Sequence, residues 1–295
     1  MVTCRVAGPG RGRVPGVRVS PCHHAPVDLG FGEVEFVEPS AGGRRFEVTR
    51  NVHLDDTDAS GAVGIDAVAR FLQDVATDDS HDAGIYENAR GVWVLRRADV
   101  VLRRRPVLYD RIHLVTFCSG SGPAWAERRT RVTADDGAGL VESAAIWVYI
   151  DRERGRPLAL DPQFADWYGE AAMGRRVSGK LRLPAPQADA ASRRWPVRHA
   201  DFDVLDHVNN ARSLEAVADE MAQRVPGARP VAFSVEYKGM LERGDDIELR
   251  SSWEERSTPA LDESGATGRT GVFGAWLLVD GDVRVSARVQ VSHVH

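Results

Sequence analysis

Two stretches of this chain repeat each other, and that repeat limits the fold more than any other feature. Asp56-Thr57-Asp58 followed by Val63 stands at the head of one apolar-periodic run. Asp201-Phe202-Asp203 followed by Val208 stands at the head of another, and each residue lies 145 positions after its counterpart. Behind the first head, Ile65, Val68, Phe71, Leu72, Val75 and Ala76 recur at three- and four-residue steps. Behind the second, Ala211, Leu214, Val217, Met221 and Val225 do the same, which is the spacing of one helix face. A strand pattern precedes each head, at Arg44–Leu54 and at Trp195–Ala200. Four β-rich runs follow each helix, at 91–104, 110–119, 125–134 and 140–151, and again at 231–239, 246–256, 268–279 and 283–293. Pro106, Gly120-Ser121-Gly122 and Asp135-Asp136-Gly137 punctuate them as turns. A helix with one apolar face must bury it, and a curled antiparallel sheet can wrap it. The expectation is an α+β chain of two helix-in-sheet domains packed side by side.

The remaining boundaries come from local composition. Residues 1–41 mix Gly8, Gly10, Gly12 and Gly16 with Pro9, Pro15, Pro21 and Pro26, too little apolar surface to offset the entropy of ordering. They are expected to be a disordered tail, and they contain no apolar run of secretory-signal type. The N-terminal domain is set at 42–160. A short helix over Asp161–Met173 and a polar linker fill 161–191, and the C-terminal domain occupies 192–295.

A net charge of −5 gives no general pull toward nucleic acid, and no stretch approaches 18 uninterrupted apolar residues, so no membrane span is expected. Cys4, Cys22 and Cys118 are odd in number and lack ligand spacing. They are taken as free thiols in a reducing cytoplasm, and Cys22-His23-His24 is assigned no metal.

The segment Asp201-Phe-Asp203-Val-Leu-Asp206-His207-Val-Asn209-Asn210 carries the chemistry. It gathers carboxylates, an imidazole and amides at a helix start, where free N–H groups and the positive dipole end can polarise a carbonyl. That set suits hydrolysis of an acyl compound. A carboxylate acts as general base on water or attacks the carbonyl, a polar partner orients it, and amides near Val208 hold the oxyanion. A plainer reading also holds for single residues, because Asp206 or Asn209 can simply cap the helix. No Ser lies in a Gly-x-Ser-x-Gly setting, and the Cys adjacent to a His is Cys22, in the tail.

This segment resembles the Asp-x-Asp-x-x-x-His-Val-Asn-Asn motif of acyl-ACP thioesterases. Phe71-Leu-Gln73-Asp-Val-Ala76 resembles the family's first-helix signature, and Trp93-Val-Leu-Arg96 with Arg105-Pro106 and Asp110 resembles its early strands. Trp147-Val-Tyr-Ile-Asp151 followed by Arg156-Pro157, and Val235-Glu236-Tyr237, are similar to later ones. The likeness spans about 44–293. It implies a tandem hotdog fold and release of a fatty acid from acyl carrier protein or CoA thioesters, without metal or organic cofactor. By the resemblance Asp203 is the catalytic carboxylate and His207 its polar partner, with Asn209 and Asn210 beside them.

Two positions depart from the pattern. Leu205 stands where plant members carry Asn, and Met240 or Leu241 stands about where they carry a catalytic Glu. Glu236 and Glu242 flank that place, and Glu236 is taken as a substrate-binding candidate. In the first half, Asp56-Thr-Asp58-Ala-Ser-Gly61-Ala-Val63 resembles the active-site turn of single-hotdog acyl-CoA thioesterases, which makes Asp58 a candidate for a second site. There Ala62 and Gly64 replace His and Asn.

A hotdog dehydratase would show an Asp-x-x-Pro-x-His segment, and none is present. The alternative is an acyl-binding or carrier-docking protein of weak activity. Arginine groups at Arg96-Arg97, Arg103–Arg105, Arg128-Arg129 and Arg193-Arg194 are candidates for docking an acidic carrier. The tandem halves form an internal pseudo-dimer that allows a monomer or a homodimer.

Overall fold

The computed structural model describes residues 37–85, 90–261 and 267–293, with the side chains of 257–261, 267–269 and 293 left aside. It also gives a short antiparallel pairing of Val27–Asp28 with Glu33–Val34. The rest of residues 1–36, including Cys4 and Cys22-His23-His24, lies outside the described residues, so the expectations placed there stay expectations.

Each half repeats one sequence of elements. β1 (Phe46–Asn51) leads into α1 (Ile65–Asp82), then β2 (Gly91–Leu102), β3 (Arg111–Ser121), β4 (Trp125–Ala134) and β5 (Gly139–Asp151). After α2 (Pro162–Ala172) and a linker come β6 (Ala191–Arg194) and α3 (Asn210–Arg224). The chain then forms β7 (Ala228–Tyr237), β8 (Ile247–Leu261), β9 (Thr267–Val279) and β10 (Asp282–His293).

These ten strands form one antiparallel sheet in the order β1-β3-β4-β5-β2-β7-β10-β9-β8-β6. Read inward from either edge, the two halves have the same order. They meet where β2 pairs with β7, in register from Arg97↔Glu236 to Val101↔Ala232. The helices lie together on one face of this sheet. Val68 and Phe71 of α1, Leu214 and Val217 of α3, and Val100, Phe233 and Phe273 of the sheet share a single core. Each such side chain contributes roughly 1.5–3 kcal/mol on burial. The internal repeat therefore predicted the architecture correctly.

One strand sits elsewhere than expected. The ladder before α3 is Ala191–Arg194 rather than Trp195–Ala200, paired with β8 through Arg194↔Glu248 and Ser251↔Ala191. Trp195 adds one more bond, from its N–H to the Ile247 carbonyl at 2.8 Å. Pro196 then has no N–H to continue the ladder, and the chain turns into a short 3-10 helix at His199–Asp201.

The linker is docked along the sheet face away from the helices. Trp125 Nε1 donates to the Val177 carbonyl at 2.9 Å and Trp276 Nε1 to the Pro184 carbonyl at 2.8 Å. Arg97 Nη1 donates to the Lys180 carbonyl.

Candidate active site

The two acid turns have the same backbone. Asp58 N donates to the Ala62 carbonyl at 2.9 Å, as Asp203 N does to that of His207 at 2.9 Å. Gly61 N donates to the Asp58 carbonyl and Asp206 N to that of Asp203, at 2.9 and 3.0 Å. Gly61 and Asp206 both have positive φ, 79° and 61°, a left-handed corner that Gly and Asp tolerate better than most residues. Val63 N then bonds the Pro106 carbonyl at 2.8 Å and Val208 N that of Leu241 at 2.9 Å. Ala62 bridges Val107 where His207 bridges Glu242. Arg105 therefore takes the place that Met240 takes in the second half.

The first acid of each turn is structural. Asp56 and Asp201 are buried. Asp201 accepts the Arg198 amide at 2.6 Å and the Arg198 guanidinium at 2.8 Å, and Asp56 accepts the His53 amide at 2.9 Å and Arg70 at 3.1 Å. They fix the entry to each turn.

The second acids differ. Asp58 is fully committed: Oδ1 accepts the Ser60 amide at 2.8 Å and its hydroxyl at 2.5 Å, and Oδ2 accepts Arg105 Nη1 at 2.6 Å. Partial burial pushes its pKa up. The bonds from Ser60 and Arg105, with the Arg105 charge, outweigh that and hold it below the ordinary carboxylate value. Asp203 is half-buried and uses only Oδ1, which accepts the Leu205 amide at 2.9 Å. Among the described residues Oδ2 accepts no hydrogen bond, and the half-buried His207 ring makes none, its electrostatic neighbour being Asp206. Asp206 is exposed and pairs with Arg243 at 2.6 Å.

Several expected site residues have other duties. Val208 N–H is spent on the Leu241 carbonyl, so it cannot hold an oxyanion. Asn209 is the N-cap, and its Oδ1 accepts the Ala211 amide at 2.9 Å, a structural duty for that oxygen. The Asn210 amide begins α3 with no intramolecular partner among the described residues. Glu236 does not reach the site. β7 alternates, so Val235 and Tyr237 face the helices, with the Tyr237 hydroxyl donating to the Asn210 carbonyl at 2.9 Å. Glu236 faces the other way, fully buried, and its Oε1 accepts the amides of Arg182 and Leu183. The expected carrier-docking arginines are also largely engaged, Arg128 with Asp79 at 2.6 Å, Arg103 with Glu142 at 3.1 Å and Arg193 with Glu220 at 2.5 Å.

Sequence reasoning missed the Arg105–Asp58 pair, because its members lie 47 residues apart on elements without a shared pattern. It also missed a narrow apolar cavity of about 30 Å³ between the helices and the sheet. Leu72 of α1, Leu214 of α3, Leu95 and Val100 of β2, and Phe233 of β7 line it, with Asn210 among its few polar groups. It draws on both halves. No group of three or more His, Cys, Asp or Glu among the described residues could hold a metal ion, and no described helix is long and apolar enough to cross a membrane.

Comparison with known proteins agrees with this geometry. The acyl-ACP thioesterase N-terminal domain model matches residues 43–168, and the acyl-ACP thioesterase C-terminal domain model matches residues 185–269. Uncharacterized protein MT2057 of Mycobacterium tuberculosis is 22% identical over 228 residues, 77% of this chain and 88% of the relative. The chloroplastic acyl-[acyl-carrier-protein] hydrolase FATB2 of Cuphea viscosissima is 23% identical over 246 residues. That match covers 76% of this chain and 57% of the plant protein, so the chain spans little more than half of that relative. The structure of the 12:0-ACP thioesterase from Umbellularia californica superposes with a TM-score of 0.68 at 18% identity, covering 84% of this chain and 93% of that one. The paired domain matches, one on each half of a double hotdog, place the chain in the acyl-ACP thioesterase family of thioester hydrolases.

Proposed function

We propose that Asp203 is the working carboxylate and that Asp58 belongs to a disabled copy of the same turn. Asp203 Oδ2 takes a proton from water as the water oxygen adds to the thioester carbonyl carbon. The oxyanion is received by the Asn210 amide, where the α3 dipole adds to the hydrogen bond. The C–S bond then breaks, and the departing thiolate takes a proton, leaving a free fatty acid and a thiol. His207, on the same turn, orients the water, and the proton held on Asp203 is the one the departing thiolate takes. The acyl chain occupies the cavity beside Asn210.

The carrying observation is the contrast between two matching carboxylates, one with both oxygens engaged and one with an oxygen to spare. Asp203 also lies in an accessible setting. Val204, Leu205 and Met240 around it are exposed, beside Arg243, which suits the approach of an acidic carrier. Domain limits of 42–160 and 192–295 fit this reading, as does work as a monomer in the cytoplasm. Cys118 is compatible with that compartment, a buried thiol pushed up to about 11 by burial and so unreactive.

Thiol release from a panel of acyl-ACP and acyl-CoA substrates tests the assignment, with wild type beside Asp203→Asn and Asp58→Asn. Loss confined to Asp203→Asn is expected. Loss confined to Asp58→Asn would overturn it. No release by wild type on any substrate would favour the acyl-binding alternative, for which the apolar Leu205 and Met240 speak.

A further inference from the structure

The strand at the seam has a second cavity on its other side. A bulge between Leu95 and Arg97 sets the phase of β2, so Leu95, Ala98 and Val100 line the acyl cavity, while Arg97 and Asp99 face the linker. Between that face and the linker lies a cavity of about 270 Å³. Its charged lining is Arg97 and Asp99 of β2, Glu127 and Arg129 of β4, and Arg175, Arg176 and Arg182 of the linker. Five guanidinium groups thus face these two carboxylates and the buried Glu236 beside Arg97, an excess of two positive charges.

The two acids are already used. Asp99 accepts the Ser234 hydroxyl at 2.6 Å and Arg182 at 2.7 Å, and it pairs with Arg97 at 3.2 Å. Glu127 accepts the Ser119 hydroxyl at 2.7 Å and Arg129 at 2.9 Å. Neither can neutralise further charge. Arg97 is more than nine-tenths buried. Burial and then the neighbouring Arg182 charge lower its pKa, against the opposing pull of Asp99. Arg182 Nε is buried without a hydrogen bond, and Arg176 stands exposed at the rim with no ion pair among the described residues. Arg97 is buried, Arg129, Arg175 and Arg182 are partly exposed and Arg176 is exposed; positive charge gathered in a partly enclosed cavity attracts an anion, and guanidinium forks match phosphate oxygens best.

We propose that this cavity binds a small polyanion of the diphosphate class. The ligand would tie the linker to β2 and β4. It would do so at the seam, where Asp99 also holds Ser234 of the second half. The site lies across β2 from the acyl cavity, so it is an effector site separate from the thioester-binding face.

The test is calorimetric titration of the full chain with inorganic pyrophosphate, repeated with adenosine diphosphate, against sodium chloride of matched ionic strength. Arg176→Glu is the companion variant, chosen because Arg176 is exposed and its side chain makes no ion pair among the described residues. One saturable site per chain is expected in wild type, weakened by about tenfold or more in the variant, about 1.4 kcal/mol. Tighter binding of adenosine diphosphate identifies a nucleotide source, and equal or weaker binding identifies free diphosphate; either result upholds the site. No saturable heat at millimolar ligand overturns the proposal, as does equal affinity in wild type and Arg176→Glu. A melting temperature raised by pyrophosphate in wild type and not in the variant is the second readout.

Discussion

Arg105 and Met240 occupy the same place in the two halves. The residue after each gives its carbonyl to a buried valine amide, Pro106 to Val63 and Leu241 to Val208. From that place Arg105 reaches the first half's carboxylate at 2.6 Å, whereas Met240 is apolar and exposed. The same backbone thus carries one quenched acid and one with an open oxygen.

Replacing Arg105 with Met makes the halves alike at that position. Asp58 then loses its cation, and its pKa rises toward the ordinary value. Its folded pKa is depressed, so the pair stabilises the fold above the unfolded carboxylate value and loses that effect as pH falls through the folded value. Arg105→Met should therefore cost less than about 1 kcal/mol at pH 7, since Asp58 is well exposed, and nothing once both forms are protonated. Urea unfolding at pH 7 and in acid measures both. Thiol release should stay at the wild-type level, and a rise on removal of the cation would show the first turn to be a latent site.

Asp203 and Asn209 separate chemistry from structure. Asp203→Asn removes a base that few fold contacts use, so kcat should fall about 10²–10⁴-fold while stability moves by less than about 0.5 kcal/mol. Asn209→Ala removes the α3 cap and should cost about 1 kcal/mol with kcat much less affected. Asn209→Asp should restore the cap. Equal kinetic losses in Asp203→Asn and Asn209→Ala would mean that the cap also serves catalysis.

How far the sequence was legible depended on whether a signal was local. The apolar steps in Phe71–Ala76 and Leu214–Met221 fixed the helices, and the 145-residue offset fixed their pairing, because periodicity and repeat are properties of neighbouring residues. The acid turn was legible for the same reason. Duties decided by distant partners were not. Glu236 reads like a site residue next to Tyr237, yet strand alternation sends it to the linker side. Val208 sits where a helix N–H should be free, yet Leu241, 33 positions later, takes it. The Arg198–Asp201 pair, three positions apart, is the exception: it was local, and the sequence reading did not use it.

Asp201 should set part of the acid stability. Burial raises its pKa, but the hydrogen bonds and charge of Arg198 prevail and hold it low. Its contribution is present above the unfolded Asp value of about 3.9 and is lost as pH falls through its lower folded value. Asp201→Asn keeps the shape and removes the titration. It should destabilise the fold at pH 7 by about 1–3 kcal/mol, because the Arg198 amide and guanidinium lose a charged acceptor. Below about pH 4 the difference from wild type should shrink. Thermal melts from pH 7 to pH 3 read the trend, and a constant difference across that range would rule out the linkage.

Trp147 should set the length of acyl chain accepted. It lines the acyl cavity and, with Arg128, also a neighbouring one of about 60 Å³ that reaches Phe164 and Tyr168 under α2. The indole is thus a partition between two spaces. Its Nε1 is buried without a hydrogen bond, so removing it relieves an unsatisfied donor and offsets part of the lost packing. Trp147→Leu should open the passage and admit two further methylenes at about 0.8 kcal/mol each. That corresponds to roughly a tenfold rise in the ratio of kcat/KM for the longer over the shorter thioester. Arg128 is a poor choice for the same purpose, because its bond to buried Asp79 at 2.6 Å would be lost with it. A chain-length profile that does not move in folded Trp147→Leu would place the acyl end elsewhere than against the indole.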